Sequence, residues 1–204
     1  MKSQIILTSA AAVLLSVTGA NAFSYRPFVG LTMGLQNPVY SDSGKDMEHA
    51  ANINLANDFF AFGAETGVMF CDKNCIYNGG LTVSATKTTY SDVDAKFTED
   101  RVASMDLFNI SMTYDNYIRI SGDKANRIDL VIGAGAGAMA IHVDPVGADD
   151  DTVWSFAPEA KLGLNFELSK NWTLTTSARV FFPTRSHYMM DASYILGGGI
   201  RYLF

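Results

Sequence analysis

The sequence predicts an all-β protein, an eight-stranded antiparallel transmembrane β-barrel. Three observations predict it. Apolar residues recur at every second position in segments of about the length a tilted membrane strand needs. There are eight such segments, an even number, as single-chain outer-membrane barrels require. Beyond the N-terminal segment no run of 18 or more apolar residues occurs, which excludes a helical membrane protein.

Composition narrows the class further. Of 204 residues, 48% are hydrophobic and only 18% charged. That charged share is below the usual ~25%, so the chain is not intrinsically disordered. Two cysteines are too few for a disulfide scaffold. Residues 1–22 read as a secretory signal peptide: Lys2 supplies a basic start, Ile5 to Val17 is apolar, and Ala20-Asn21-Ala22 is a small-x-small cleavage site. The apolar stretch is short for an uncut anchor. Residues 23–204 are then the barrel domain. Removing the signal peptide takes away one of 15 basic residues and none of the 21 acidic ones, leaving a net charge of −7. That is the wrong sign for a nucleic-acid binder, so no nucleic acid is expected as a partner.

The strands follow in order. Val29, Leu31, Met33 and Leu35 alternate with Phe28, Gly30, Thr32 and Gly34. Phe60, Phe62, Ala64, Thr66, Val68 and Phe70 alternate with Phe59, Ala61, Gly63, Glu65, Gly67 and Met69. The third strand sets Tyr77, Gly79, Leu81, Val83 and Ala85 against Asn78, Gly80, Thr82, Ser84 and Thr86. The fourth sets Phe108, Ile110, Met112 and Tyr114 against Leu107, Asn109, Ser111 and Thr113. The link to the fifth falls somewhere in Asp115 to Arg127 and is unusually long, or Tyr117-Ile118-Arg119-Ile120 within it extends strands four and five. In the fifth, Ile128, Leu130, Ile132, Ala134, Ala136 and Ala138 oppose Asp129, Val131, Gly133, Gly135, Gly137 and Met139. The sixth alternates without a break from Trp154 to Leu168. The seventh puts Trp172, Leu174, Thr176, Ala178, Val180 and Phe182 on one face, and the eighth Tyr194, Leu196, Gly198, Ile200, Tyr202 and Phe204.

Sidedness decides the environment. One face of each strand carries the bulky aliphatic and aromatic residues, while the other carries mainly glycine, small polar residues and isolated charges. An eight-stranded barrel has an interior only just wide enough for side chains, so the small and charged face suits the lumen and the bulky face suits lipid. A soluble β-sandwich would bury the bulky face instead. Aromatic residues gather near strand ends, where interfacial girdles sit. Long polar connections (36–58, 91–103, 144–152 and 183–191) alternate with tight ones such as 71–76 and 169–171. This rhythm gives longer extracellular loops and short periplasmic turns.

The signal peptide, the strand Leu130-Val131-Ile132-Gly133-Ala134-Gly135-Ala136-Gly137 and the ending Gly199-Ile200-Arg201-Tyr202-Leu203-Phe204 carry a resemblance. The chain resembles the small eight-stranded outer-membrane barrels: the OmpA transmembrane domain, OmpX and the opacity-type surface proteins. The resemblance implies residence in the outer membrane and a barrel alone, without the peptidoglycan-binding domain that follows it in OmpA. It also implies that Ile200, Tyr202 and Phe204 form the signal read by the barrel-assembly machinery.

Candidate functional residues are the charges on the lumen face. Glu65, Glu159, Lys161 and Arg179 fall at mid-depth, while Asp129, Glu167 and Arg201 fall near the periplasmic floor. Burying any of them unpaired would cost several kcal/mol, so each needs a partner or water. A cross-barrel network follows, with Glu65 reaching Arg179 or Lys161. Cys71 and Cys75 flank a short periplasmic turn in an oxidising compartment and are expected to form a disulfide. The three histidines, His49, His142 and His187, have no carboxylate or cysteine at metal-ligand spacing, so no metal or cofactor is expected. The lipid A deacylases share this fold and place the nucleophilic serine two residues after the histidine; His187-Tyr188-Met189 puts Met189 there.

The resulting expectation is a monomeric, non-enzymatic surface protein that contacts outer-membrane lipid, lipopolysaccharide and a host or matrix ligand through its loops. A narrow porin-like channel is the alternative, and a lipid A-modifying enzyme the remote one.

Overall fold

The computed structural model describes residues 24–40, 59–71, 77–94, 102–122, 126–144, 151–184 and 190–204. The signal peptide falls outside them, as do the Cys71 side chain and Cys75. Eight strands form a closed antiparallel barrel in which each pairs with its neighbours in sequence and β1 closes on β8. They are β1 (Ser24–Tyr40), β2 (Phe59–Cys71), β3 (Tyr77–Asp94), β4 (Val102–Ser121), β5 (Ile128–Asp144), β6 (Asp151–Glu167), β7 (Trp172–Phe181) and β8 (Met190–Leu203).

The face assignment read from the sequence holds on every strand. Leu31, Met33, Phe62, Met112, Ile132, Leu162 and Leu196 are all exposed, on the outer wall. On β6, twelve intervals from Trp154 to Phe166 at ~3.3 Å and a tilt of ~40° cover roughly 30 Å, the thickness of a hydrocarbon core. Aromatic pairs mark both margins of this belt. Trp172 meets Tyr202 edge-on at 5.0 Å and Tyr202 meets Phe204 at 5.2 Å on the turn side. Phe108 meets Trp154 at 6.4 Å on the loop side.

Of the two readings of 115–127, strand extension is the one the structure shows, and the link itself is short. Strand β4 runs on to Ser121, and β5 begins at Ile128. Asp115 and Tyr117 continue the lumen face, and Ile118 and Ile120 continue the lipid face. Asn116 offsets its outward placement by donating to Ile132 O at 3.5 Å.

On the loop side, β3 to β6 rise past the girdle residues Phe108 and Trp154. The β3–β4 ladder continues to Asp94↔Val102, the β5–β6 ladder to Val143↔Asp151 and the β1–β8 ladder to Tyr40↔Met190. Beyond the pair Glu159↔Phe181 the N–H groups of Phe182 and Thr184 still donate to Pro158 O and Phe156 O of β6.

Candidate functional site: the lumen

The lumen is layered. On the turn side, Phe28, Met69, Tyr117, Val131 and Leu203 form an apolar floor. On the loop side, Ala61, Leu107, Met139, Ile141, Ala157, Phe181, Met190 and Ile195 form a second apolar layer. Between them lie three buried ion pairs.

Glu65 on β2 and Arg201 on β8 form a forked pair: Arg201 Nε donates to Oε1 at 2.5 Å and Nη2 to Oε2 at 2.9 Å. Their strands are not paired with each other, since β1 lies between them. Gly30 of β1 stands in register with both, and the two side chains meet over it. A Cβ at Gly30 would lie 3.0 Å from Arg201 Cγ and 3.2 Å from Glu65 Cγ. Lys161 and Asp115 repeat the arrangement across Gly133, with Nζ donating to Oδ2 at 2.7 Å. In the third pair Arg179 Nε donates to Glu159 Oε1 at 2.6 Å. The same guanidinium crosses the lumen to Ser84 Oγ at 2.5 Å and Ser111 Oγ at 3.0 Å. All six side chains are at most 7% exposed.

The apolar layers cap the arginines. The Arg201 guanidinium lies 4.5 Å from the centroid of Phe28, a floor residue, and that of Arg179 lies 5.1 Å from Phe181. Such contacts favour a cation over a ring face in a desolvated site. Arg201 Nη1 also donates to Tyr117 Oη at 2.9 Å. Beside the pairs a cavity of about 30 Å³ touches Thr32, Glu65, Lys161, Arg179 and Arg201, with room for on the order of two waters. Nearer the loops, buried Gln36 donates to Ser193 Oγ at 2.8 Å and accepts from Thr88 Oγ1 at 2.6 Å.

The sequence reading brings Glu65 to Arg179 or Lys161 and leaves Arg201 at the floor; the pairing is different. Depth counted along single strands ignores register, and register puts Arg201 one glycine away from Glu65. Asp129 does sit at the turn-side end, where Arg127 Nε donates to its Oδ1 at 2.5 Å. Glu167 is half-buried at the rim, 3.9 Å from Arg26 Nη1. Sequence reasoning missed Asp115, Tyr117, Arg127 and Gln36. The first two were legible as continuations of the β4 lumen parity, and Arg127 lies two residues before Asp129 on the same face.

Outside the lumen, His142 Nδ1 lies 2.8 Å from Thr152 Oγ1. Asp106 is level with His142 on the neighbouring strand, and its carboxylate pairs with Lys87 at 2.9 Å. His49 and His187 fall outside the described residues.

No family model and no curated protein matches the sequence. Solved structures do match. The Neisserial surface protein A is 12% identical over 90% of this chain and 100% of its own, with a TM-score of 0.52. The attachment invasion locus protein Ail of Yersinia pestis is 14% identical over 89% and 99%, with a TM-score of 0.51. A major outer membrane protein of Thermus thermophilus is 11% identical over 89% and 100%, with a TM-score of 0.53. At these identities the likeness carries the fold. Together with the apolar belt, it makes this chain a small eight-stranded β-barrel of the outer membrane.

Proposed function

We propose that the protein is a non-enzymatic structural component of the outer membrane, with a lumen plugged by its own side chains and an interaction role carried by its extracellular loops. The observation that carries the plug is the layering of the lumen, three buried ion pairs held between two apolar clusters. A hydrated ion would have to displace both clusters and strip charges that are already paired. The long polar connections 36–58, 91–103, 144–152 and 183–191 support the surface role. Loops on a rigid scaffold are where binding residues concentrate.

The reading takes the barrel as a monomer without cofactor. Lipid and lipopolysaccharide surround its belt, a host or matrix ligand meets its loops, and the barrel-assembly machinery reads Ile200, Tyr202 and Phe204 during insertion. Residues 1–22 act as the signal peptide. The rival reading, a narrow passive channel, has the charged cavity in its favour. Ion efflux from vesicles reconstituted with the protein separates the two. Efflux no faster than from empty vesicles supports the plug, and efflux that scales with protein content overturns it. Unchanged lipid A mass spectra after overexpression are expected as well; loss of an acyl chain would mean a lipid A-modifying enzyme.

A further inference from the structure

The strands that close the barrel, β1 and β8, are farthest apart in sequence, so their ladder carries the largest loop-closure entropy. At the turn-side rim this ladder ends at Phe28↔Leu203. Immediately below it lies the turn between β6 and β7. That turn is internally fixed: Leu168 N–H and Ser169 N–H donate to Trp172 O at 2.9 and 3.1 Å, and Ser169 Oγ accepts from Trp172 N–H at 3.2 Å.

The fixed turn is bonded to both seam strands. Asn171 Nδ2 donates to Leu203 O at 2.7 Å, and Leu203 N–H donates to Asn171 O at 2.7 Å. From the other side, the Arg26 guanidinium of β1 donates to Lys170 O and lies 3.9 Å from Glu167. Phe204 N–H donates directly to Pro27 O at 3.0 Å. The hydrogen-bonding groups at the end of β8 are thus taken from two directions.

We propose that the β6–β7 turn is a closure clasp, in which Asn171 holds the end of β8 and Arg26 ties β1 to the same turn. Asn171 is a positioning residue. Its amide occupies the Leu203 carbonyl, which like the Leu203 N–H faces the turn, and so fixes the end of β8 whose other edge, at Phe204 N–H, meets Pro27 of β1. In an open seam that β1-facing edge would be free to pair with a strand of another chain. The clasp makes closure of this barrel, rather than pairing with a second strand edge, the favoured end of folding.

The test is residue-resolved hydrogen exchange of the full chain in detergent micelles. N171D keeps the size of the side chain and removes its donor; N171A serves if N171D does not refold. Loss of one such bond should speed exchange at Leu203 and Phe204 by roughly three- to tenfold. The β3–β4 ladder should keep its rates. Cross-linking during refolding should trap more dimers than with the native chain. T66V is the control, since Thr66 Oγ1 donates to Phe28 O at 2.9 Å on the β2 side of β1; it should leave the Leu203 and Phe204 rates alone. Unchanged rates at Leu203 and Phe204 in N171D would overturn the clasp. So would an equal rise across β3–β4, which would mean a general loss of stability.

Discussion

Arg201 and Glu65 form a two-bond ion pair over Gly30, the glycine of the strand that separates them. Lys161 and Asp115 do the same over Gly133. A narrow lumen lets long cationic side chains reach past a neighbouring strand, provided nothing projects from that strand at the crossing.

Removing one partner of such a pair leaves the other charge buried. Glu65→Ala should therefore lower the urea unfolding midpoint by an amount equivalent to about 3–5 kcal/mol. Lys87→Ala breaks an exposed pair and should cost no more than about 1 kcal/mol. Equilibrium unfolding followed by gel mobility without heating reads both. Equal effects of the two substitutions would contradict burial of the Glu65 charge.

The crossing itself is open to test at Gly30. A Cβ there would meet Ile200 O at 2.9 Å as well as the two bridging side chains. Backbone cannot swing aside, so Gly30→Ala should lower the midpoint even though alanine favours strand no less than glycine does. A midpoint equal to or above that of the native chain would mean the pair does not need the gap.

The lipid face gives an independent prediction. Leu162 is 54% exposed near the middle of the apolar span of β6. Leu162→Arg should cost about 2–4 kcal/mol in lipid vesicles, because the charge meets hydrocarbon. In a soluble barrel the same substitution on an exposed position would be close to neutral, and a neutral result in vesicles would refute the sidedness.

The cysteines are tested by thiol labelling of the unfolded, unreduced protein. A disulfide between Cys71 and Cys75 closes a five-residue loop and adds roughly 2 kcal/mol on the chain-entropy estimate. No free thiol should be found; two would show that the pair does not form.

The fold was legible because lipid and lumen demand opposite residues at alternate positions, and that demand repeats on every strand. Trp154 to Leu168 shows it without interruption. The site was legible only in part. Parity told which charges face inward, as with Glu159 and Arg179, but pairing depends on register between strands, which no single strand encodes. Glu65 therefore met Arg201, a residue whose position along its own strand suggested the floor. Asp115 was hidden for a different reason: it fell where strand four met an ill-defined link, and the partner that makes its burial tolerable, Lys161, lies 46 residues away.

Single-channel recording in planar bilayers bears most directly on the plugged lumen. With the ion pairs intact and apolar layers above and below them, the native protein should give a baseline indistinguishable from bare lipid. Glu65→Ala, with Arg201 left unpaired, should give irregular leakage. Steady openings of uniform size from the native protein would contradict the plug and make the barrel a channel.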